Sequence, residues 1–149
     1  MQDLTDRIIA FVESVGIAVR EGPIAGETFM PGMAVRGGTL AIDRETLRWP
    51  GDLLHEAGHI AVTDPALRAG TTAVSTDPSE EMAAIAWSYA AARAMALDPA
   101  LVFHDGGYKG GGGWIADAFA SGGTIGVPML VWYGMTTNDA FPAMKRWLR

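Results

Sequence analysis

Apolar residues recur along the chain with two different periods, and the switches between them mark its elements. Leu4, Ile8, Phe11, Val12 and Val15 share one helical face within residues 3–15, while Asp3, Asp6, Arg7 and Glu13 lie elsewhere. An amphipathic helix is expected there, its first-turn acids favourable for the dipole and Gly16 at its end. Ile17-Ala18-Val19-Arg20 reads as a short strand closed by Glu21-Gly22-Pro23. Met33 to Asp43 reads as two strands around Gly37-Gly38, a hairpin signal. The expectation is a small antiparallel sheet of about three strands packed against a mainly helical remainder, an α+β fold.

Trp49-Pro50-Gly51-Asp52 opens the next helix, and Asp64-Pro65 ends it. Leu53, Leu54, Ala57, Ile60, Ala61 and Val62 make that helix largely buried. Residues 64–77, rich in Thr, Gly, Ala and Pro without a period, read as a loop. Asp77-Pro78-Ser79-Glu80 is a helix start: an Asp cap, Pro at the first helical position and Glu at the third. The helix it opens runs to about Leu97, apolar on nearly every face and therefore central in the domain. Asp98-Pro99 begins a short helix or turn, and residues 104–113 are too glycine-rich to be regular. Trp114–Ala120, Val127–Met135 and Asn138–Arg149 are expected to be helical, the last with basic residues at its dipole-favoured end. Trp49, Trp87, Trp114 and Trp132 are assigned to the core. No internal repeat or linker divides residues 1–149, which read as a single domain.

Composition narrows the function. A net charge of -6 argues against binding a nucleic-acid backbone, which calls for a basic patch. With no cysteine, a metal site has only nitrogen and oxygen ligands. Met1 to Asp6 is acidic and lacks the basic-then-apolar layout of a signal peptide. The longest apolar run, Met82 to Leu97, is interrupted by Arg93 and falls short of the ~20 residues of a membrane span. A cytoplasmic protein with no membrane partner is expected. The sequence carries no signal for its oligomeric state.

The chemistry concentrates in His55-Glu56-Ala57-Gly58-His59, which uses two of the three histidines. On a helix, His-Glu-x-x-His presents two imidazoles one turn apart to one zinc ion, with the Glu placed to take a proton from metal-bound water. Such a match arises by chance in a chain of this size with a probability on the order of 1% or less, so it is treated as a site. Three ionisable groups on an apolar helix also need partners, which a metal supplies.

A catalytic zinc needs a third protein ligand and an open position. A third His with a preceding Gly, the metzincin arrangement, is excluded, because those positions hold Pro65 and Val62. Asp64 sits at the helix exit and Asp77 at a cap, which leaves Glu80 and Glu81 at the start of the buried helix. This pattern over residues 50–95 resembles the gluzincins, the thermolysin-like zinc peptidases, in which a following helix donates a Glu. Glu80, at the third helical position, folds back onto the cap, whereas Glu81 is free to reach inward. Glu81 is the favoured ligand and Glu80 the alternative.

The resemblance implies a zincin-like fold and a zinc peptidase in which His55, His59 and Glu81 hold Zn²⁺ and Glu56 is the general base. It implies an oxyanion donor from a later segment, for which His104 and Tyr108 are candidates beside ordinary loop and packing roles. Asp52 and Ser88 are candidates to orient the ligands. Two alternatives remain: hydrolysis of a different amide, as in peptidoglycan or a small molecule, and a non-catalytic zinc-binding or partner-binding protein. A base between intact ligands favours catalysis, with a peptide or small amide as substrate.

Overall fold

A computed structural model describes residues 2–107 and 111–149. It is an α+β fold of one three-stranded sheet and six helices among the described residues. Helix α1 (Leu4–Ser14) starts where the Asp3 carboxylate accepts the Asp6 N–H at 2.8 Å, and it buries Ile8, Ile9 and Val12. Strands β1 (Val19–Glu21), β2 (Met33–Arg36) and β3 (Thr39–Ile42) follow.

The sheet is mixed rather than antiparallel. Its order is β1-β3-β2: β2 and β3 form the expected antiparallel hairpin, but β1 runs parallel to β3. Burial explains the order. Leu40 and Ile42 of β3 are fully buried, which suits the centre, whereas the exposed Arg20 and Glu21 of β1 suit an edge. Gly37 and Gly38 turn the hairpin with φ of +60° and +73°, the pair of left-handed residues that a tight two-residue turn demands.

Helix α2 (Asp52–Val62) carries the histidines and is buried at all eleven positions. Residues 64–77 are not wholly irregular, since Asp64 caps a one-turn helix, α3 (Pro65–Arg68), by accepting the Ala66 N–H at 2.9 Å. From there the Arg68 guanidinium reaches the Ile60, Ala61 and Thr63 carbonyls at 3.1–3.2 Å, satisfying acceptors that the end of α2 leaves open. Helix α4 (Pro78–Ala94) begins at the Asp77 cap and is buried continuously from Ala83 to Ala92. It lies against α2 at close range because both faces are small. A Cβ on Gly58 would stand 3.0 Å from the Ala84 carbonyl oxygen and 3.3 Å from its Cα.

A single 3₁₀ turn (Pro99–Leu101), α5 (Gly113–Ala120) and α6 (Val127–Trp132) complete the regular structure. The terminal helix expected over Asn138–Arg149 is absent, and the segment is irregular. Pro142 would interrupt a helix there, and tertiary bonds hold the backbone instead. The Arg149 N–H donates to the Ala61 carbonyl at 2.9 Å, and Trp87 Nε1 donates to the Trp147 carbonyl at 2.9 Å. Fully buried, Trp87 packs edge-on against Phe11 and Trp147. Burying a Leu or Ile side chain contributes about 1.5–3 kcal/mol, and Ile8, Leu40, Ile42, Leu53, Leu54 and Leu130 all do so fully.

Two tryptophans assigned to the core are at the surface, Trp114 at 58% and Trp132 at 81% exposure. The short helices α5 and α6 bury Ile115 and Phe119, and Val127 and Leu130, which turns Trp114 and Trp132 outward. No helix among the described residues is long and apolar enough to cross a membrane.

Candidate metal centre

Four residues apart on α2, His55 and His59 point the same way with Nε2 atoms 3.2 Å apart. The close approach of α4 at Gly58 brings the first turn of that helix over both rings. Glu81 Oε1 lies 3.2 Å from His55 Nε2, and its Oε2 lies 2.7 Å from His59 Nε2. Tetrahedral zinc with bonds near 2.0–2.1 Å sets neighbouring ligand atoms about 3.3 Å apart. The two imidazole nitrogens stand close to that spacing and the Glu81 oxygens approach them at 2.7–3.2 Å, so the three residues form a group that could hold one ion. Glu80 lies outside this cluster, while Asp64 and Asp77 serve as helix caps.

Burial would raise the Glu81 carboxyl pKa, but hydrogen bonds from the His55 and His59 rings override it and hold the group well below the ordinary range. An ionised Glu81 is the form that ligates a cation. Glu56 behaves oppositely. Burial pushes its carboxyl up against the pull of both histidines. Two carboxylates within one site are thus driven apart, one held ionised and one inclined to take a proton. His59 Nδ1 is buried with no hydrogen-bond partner among the described residues, so its ring orientation rests on packing and on Glu81.

A cavity of about 510 Å³ opens onto this cluster. His55, Glu56, His59 and Glu81 form its polar side, and Phe29, Met30, Ala73 and Val74 its apolar side. The size and character are those of a small-molecule site. A smaller cavity of about 160 Å³ lies between β2 and residues 72–74 and shares Phe29, Glu56, Ala73 and Val74 with the larger one. Phe29 and residues 72–76 on these walls come from irregular segments and carried no periodic signal in the sequence.

His104 occupies a different place from the one expected of an oxyanion donor. Its Nε2 lies 2.6 Å from Asp52 Oδ1, and its Nδ1 accepts the Gly106 N–H at 3.2 Å. Both ring nitrogens are thereby engaged, by Asp52 and by the Gly106 N–H, which leaves neither for the cavity. The ring also stacks on Trp49, with centroids 4.7 Å apart. Only 2% exposed, Asp52 is raised in pKa by burial, an effect opposed by the hydrogen bond from His104. The pair is a latch that fastens the glycine-rich loop to the start of α2, bringing Gly107 to the cavity wall. Asp52 and His104 are far apart in sequence, and nothing local to either signalled the pairing. Ser88 Oγ donates to the Ile85 carbonyl of its own helix rather than to a ligand. Tyr108 lies outside the described residues.

No family model, curated protein or solved structure matches the chain.

Proposed function

We propose that this protein is a zinc-dependent hydrolase of an amide bond, with His55, His59 and Glu81 as the metal ligands and Glu56 as the general base. The observation carrying this assignment is the convergence of the His55 and His59 Nε2 atoms and the two Glu81 carboxylate oxygens at 2.7–3.2 Å, beside the buried Glu56 carboxyl that lines the same cavity. The donor set of two imidazoles and one carboxylate is that of catalytic zinc sites, which leave one position open.

Zinc, when bound, supplies Lewis acidity and makes water a nucleophile near neutral pH. Glu56, next to His55 and on the cavity wall, is placed to take the proton of a water that would attack the carbonyl carbon. It then delivers the proton to the leaving nitrogen. Glu81, held ionised, balances charge at the ligands rather than exchanging protons. The apolar wall of Phe29, Met30 and Val74 supports binding of an acyl or side-chain group next to the scissile bond.

Metal content tests this directly. Protein purified without added metal, then reconstituted, is expected to hold about one zinc per chain, and His59→Ala to lose it. Failure of the wild-type chain to reach stoichiometric zinc would overturn the assignment. Glu56→Gln should retain zinc and lose hydrolysis of an amide substrate. A binding-only protein would show no activity to lose.

A further inference from the structure

The segment between α3 and α4 forms part of the wall of the site, through Ala73, Val74, Ser75 and Thr76. Its first anchor is Thr71, whose carbonyl accepts the Gly38 N–H at 3.1 Å and whose Oγ1 donates to the Leu67 carbonyl at 3.0 Å. Its second anchor is Asp77, which donates its N–H to Ser75 Oγ at 3.1 Å and caps α4. Between the anchors, residues 72–76 make no backbone–backbone hydrogen bond among the described residues. Val74 is the apolar side chain of this stretch that packs onto the core.

The path of this strap matters because of what lies behind it. β2 is an edge strand, and its outer side is a ready template for an extended chain. Ala73 and Val74 line both the small cavity beside β2 and the large cavity at the histidines, so they stand where the two meet. The space left beside β2 is about 160 Å³, against about 510 Å³ at the histidines. An extended polypeptide paired with β2 would need more room than residues 72–74 leave beside that strand. A compact molecule enters the 510 Å³ cavity without displacing those residues.

Resting on the amide-hydrolase assignment above, we propose that residues 72–76 set the specificity of this site. Val74 plugs the passage to β2, and the substrate is a compact acyl amide with an apolar group, not the interior of an extended polypeptide. Phe29, Met30 and Val74 receive the apolar group, while the scissile carbonyl lies toward His55, Glu56 and His59. Val74 acts here as a specificity-determining residue and takes no part in bond breaking.

Binding to the zinc-loaded protein tests this without requiring turnover. The probes are a blocked phosphinic dipeptide with a leucine-like side chain and a ten-residue peptide carrying the same phosphinic unit at its centre. Wild type is expected to bind the dipeptide at least about tenfold more tightly than the decapeptide. Val74→Gly should shrink that preference about tenfold, chiefly by tightening the decapeptide. Val74→Ala, a milder change, provides the same comparison where the glycine variant fails to load zinc. Equal or tighter decapeptide binding by wild type would overturn the proposal, as would a preference unchanged in both variants. Binding of neither probe by zinc-loaded wild type would overturn it too. Failure of the metal assignment shows up separately, as missing zinc before any probe is added.

Discussion

Gly58 on α2 faces Ala84 on α4 so closely that a Cβ at position 58 would stand 3.0 Å from the Ala84 carbonyl oxygen and 3.3 Å from its Cα, tight enough that α4 must give by a few tenths of an ångström. That contact sets how far Glu81 stands from the two histidines. In Gly58→Ala, the new Cβ meets backbone atoms that move only if a whole helix moves. Helix propensity improves by about 1 kcal/mol and offsets part of the clash, so stability should change little. Zinc affinity should nevertheless fall about tenfold, because ligation tolerates displacements of only about 0.5 Å. Zinc competition titration beside urea unfolding checks this, and unchanged affinity would detach the helix contact from the site.

Glu80 and Glu81 are neighbours, but of the two only Glu81 stands beside both histidines. Glu81→Ala should weaken zinc binding by about a hundredfold or more, whereas Glu80→Ala should leave it within a few-fold. A larger loss for Glu80→Ala would exchange their roles.

Glu56 makes the metal-free fold sensitive to pH. Its folded pKa lies above the unfolded value, so its ionisation costs stability. The cost is absent below the unfolded pKa of about 4.3, grows as pH rises from there toward the folded value, and is complete above it. Glu56→Gln should therefore stabilise the metal-free protein at pH 7 by about 1 kcal/mol or more, with the gain fading near pH 4. Denaturant unfolding at the two pH values measures it. A gain of equal size at both would show that the carboxylate charge is not its source.

The Asp52–His104 latch separates hydrogen bonding from stacking. His104→Phe keeps an aromatic ring over Trp49 but strands a buried carboxylate, and should cost about 3 kcal/mol. Asp52→Asn retains an acceptor for Nε2–H and should cost nearer 1 kcal/mol. Equal losses in urea unfolding would place the cost in packing.

What the sequence made legible were features written in local chemistry. Asp77-Pro78 announced α4 because a cap and a fixed φ act within a few residues. His55, Glu56 and His59 announced themselves through helical spacing, and Glu81 through its position one turn into a buried helix. Features set by distant partners stayed hidden. β1 pairs with β3, the most buried strand, rather than extending the hairpin at β2, which is a property of the assembled sheet. The chain end at 138–149 forgoes a helix to serve the carbonyls of α2 and the indole of Trp87. Trp114 and Trp132 face outward because their short helices bury the opposite side. The strap at 72–76 has no repeating pattern at all, so its place on the cavity wall is visible only in three dimensions.

Position 81 lies in the opening turn of α4, next to a strap with no backbone pairing of its own. A cation bound by His59 and Glu81 would therefore be a covalent-like cross-link between two points of the chain, closing the loop from 59 to 81. Such a tie removes freedom chiefly from the unfolded ensemble and from the fraying end of α4. Chelation would then release a local hinge: residues 72–81 would loosen together while α1, the sheet and the rest of α4 remain folded. In this chain the ion would be a fastener as well as a reagent, and its loss would register first as motion at the cavity wall.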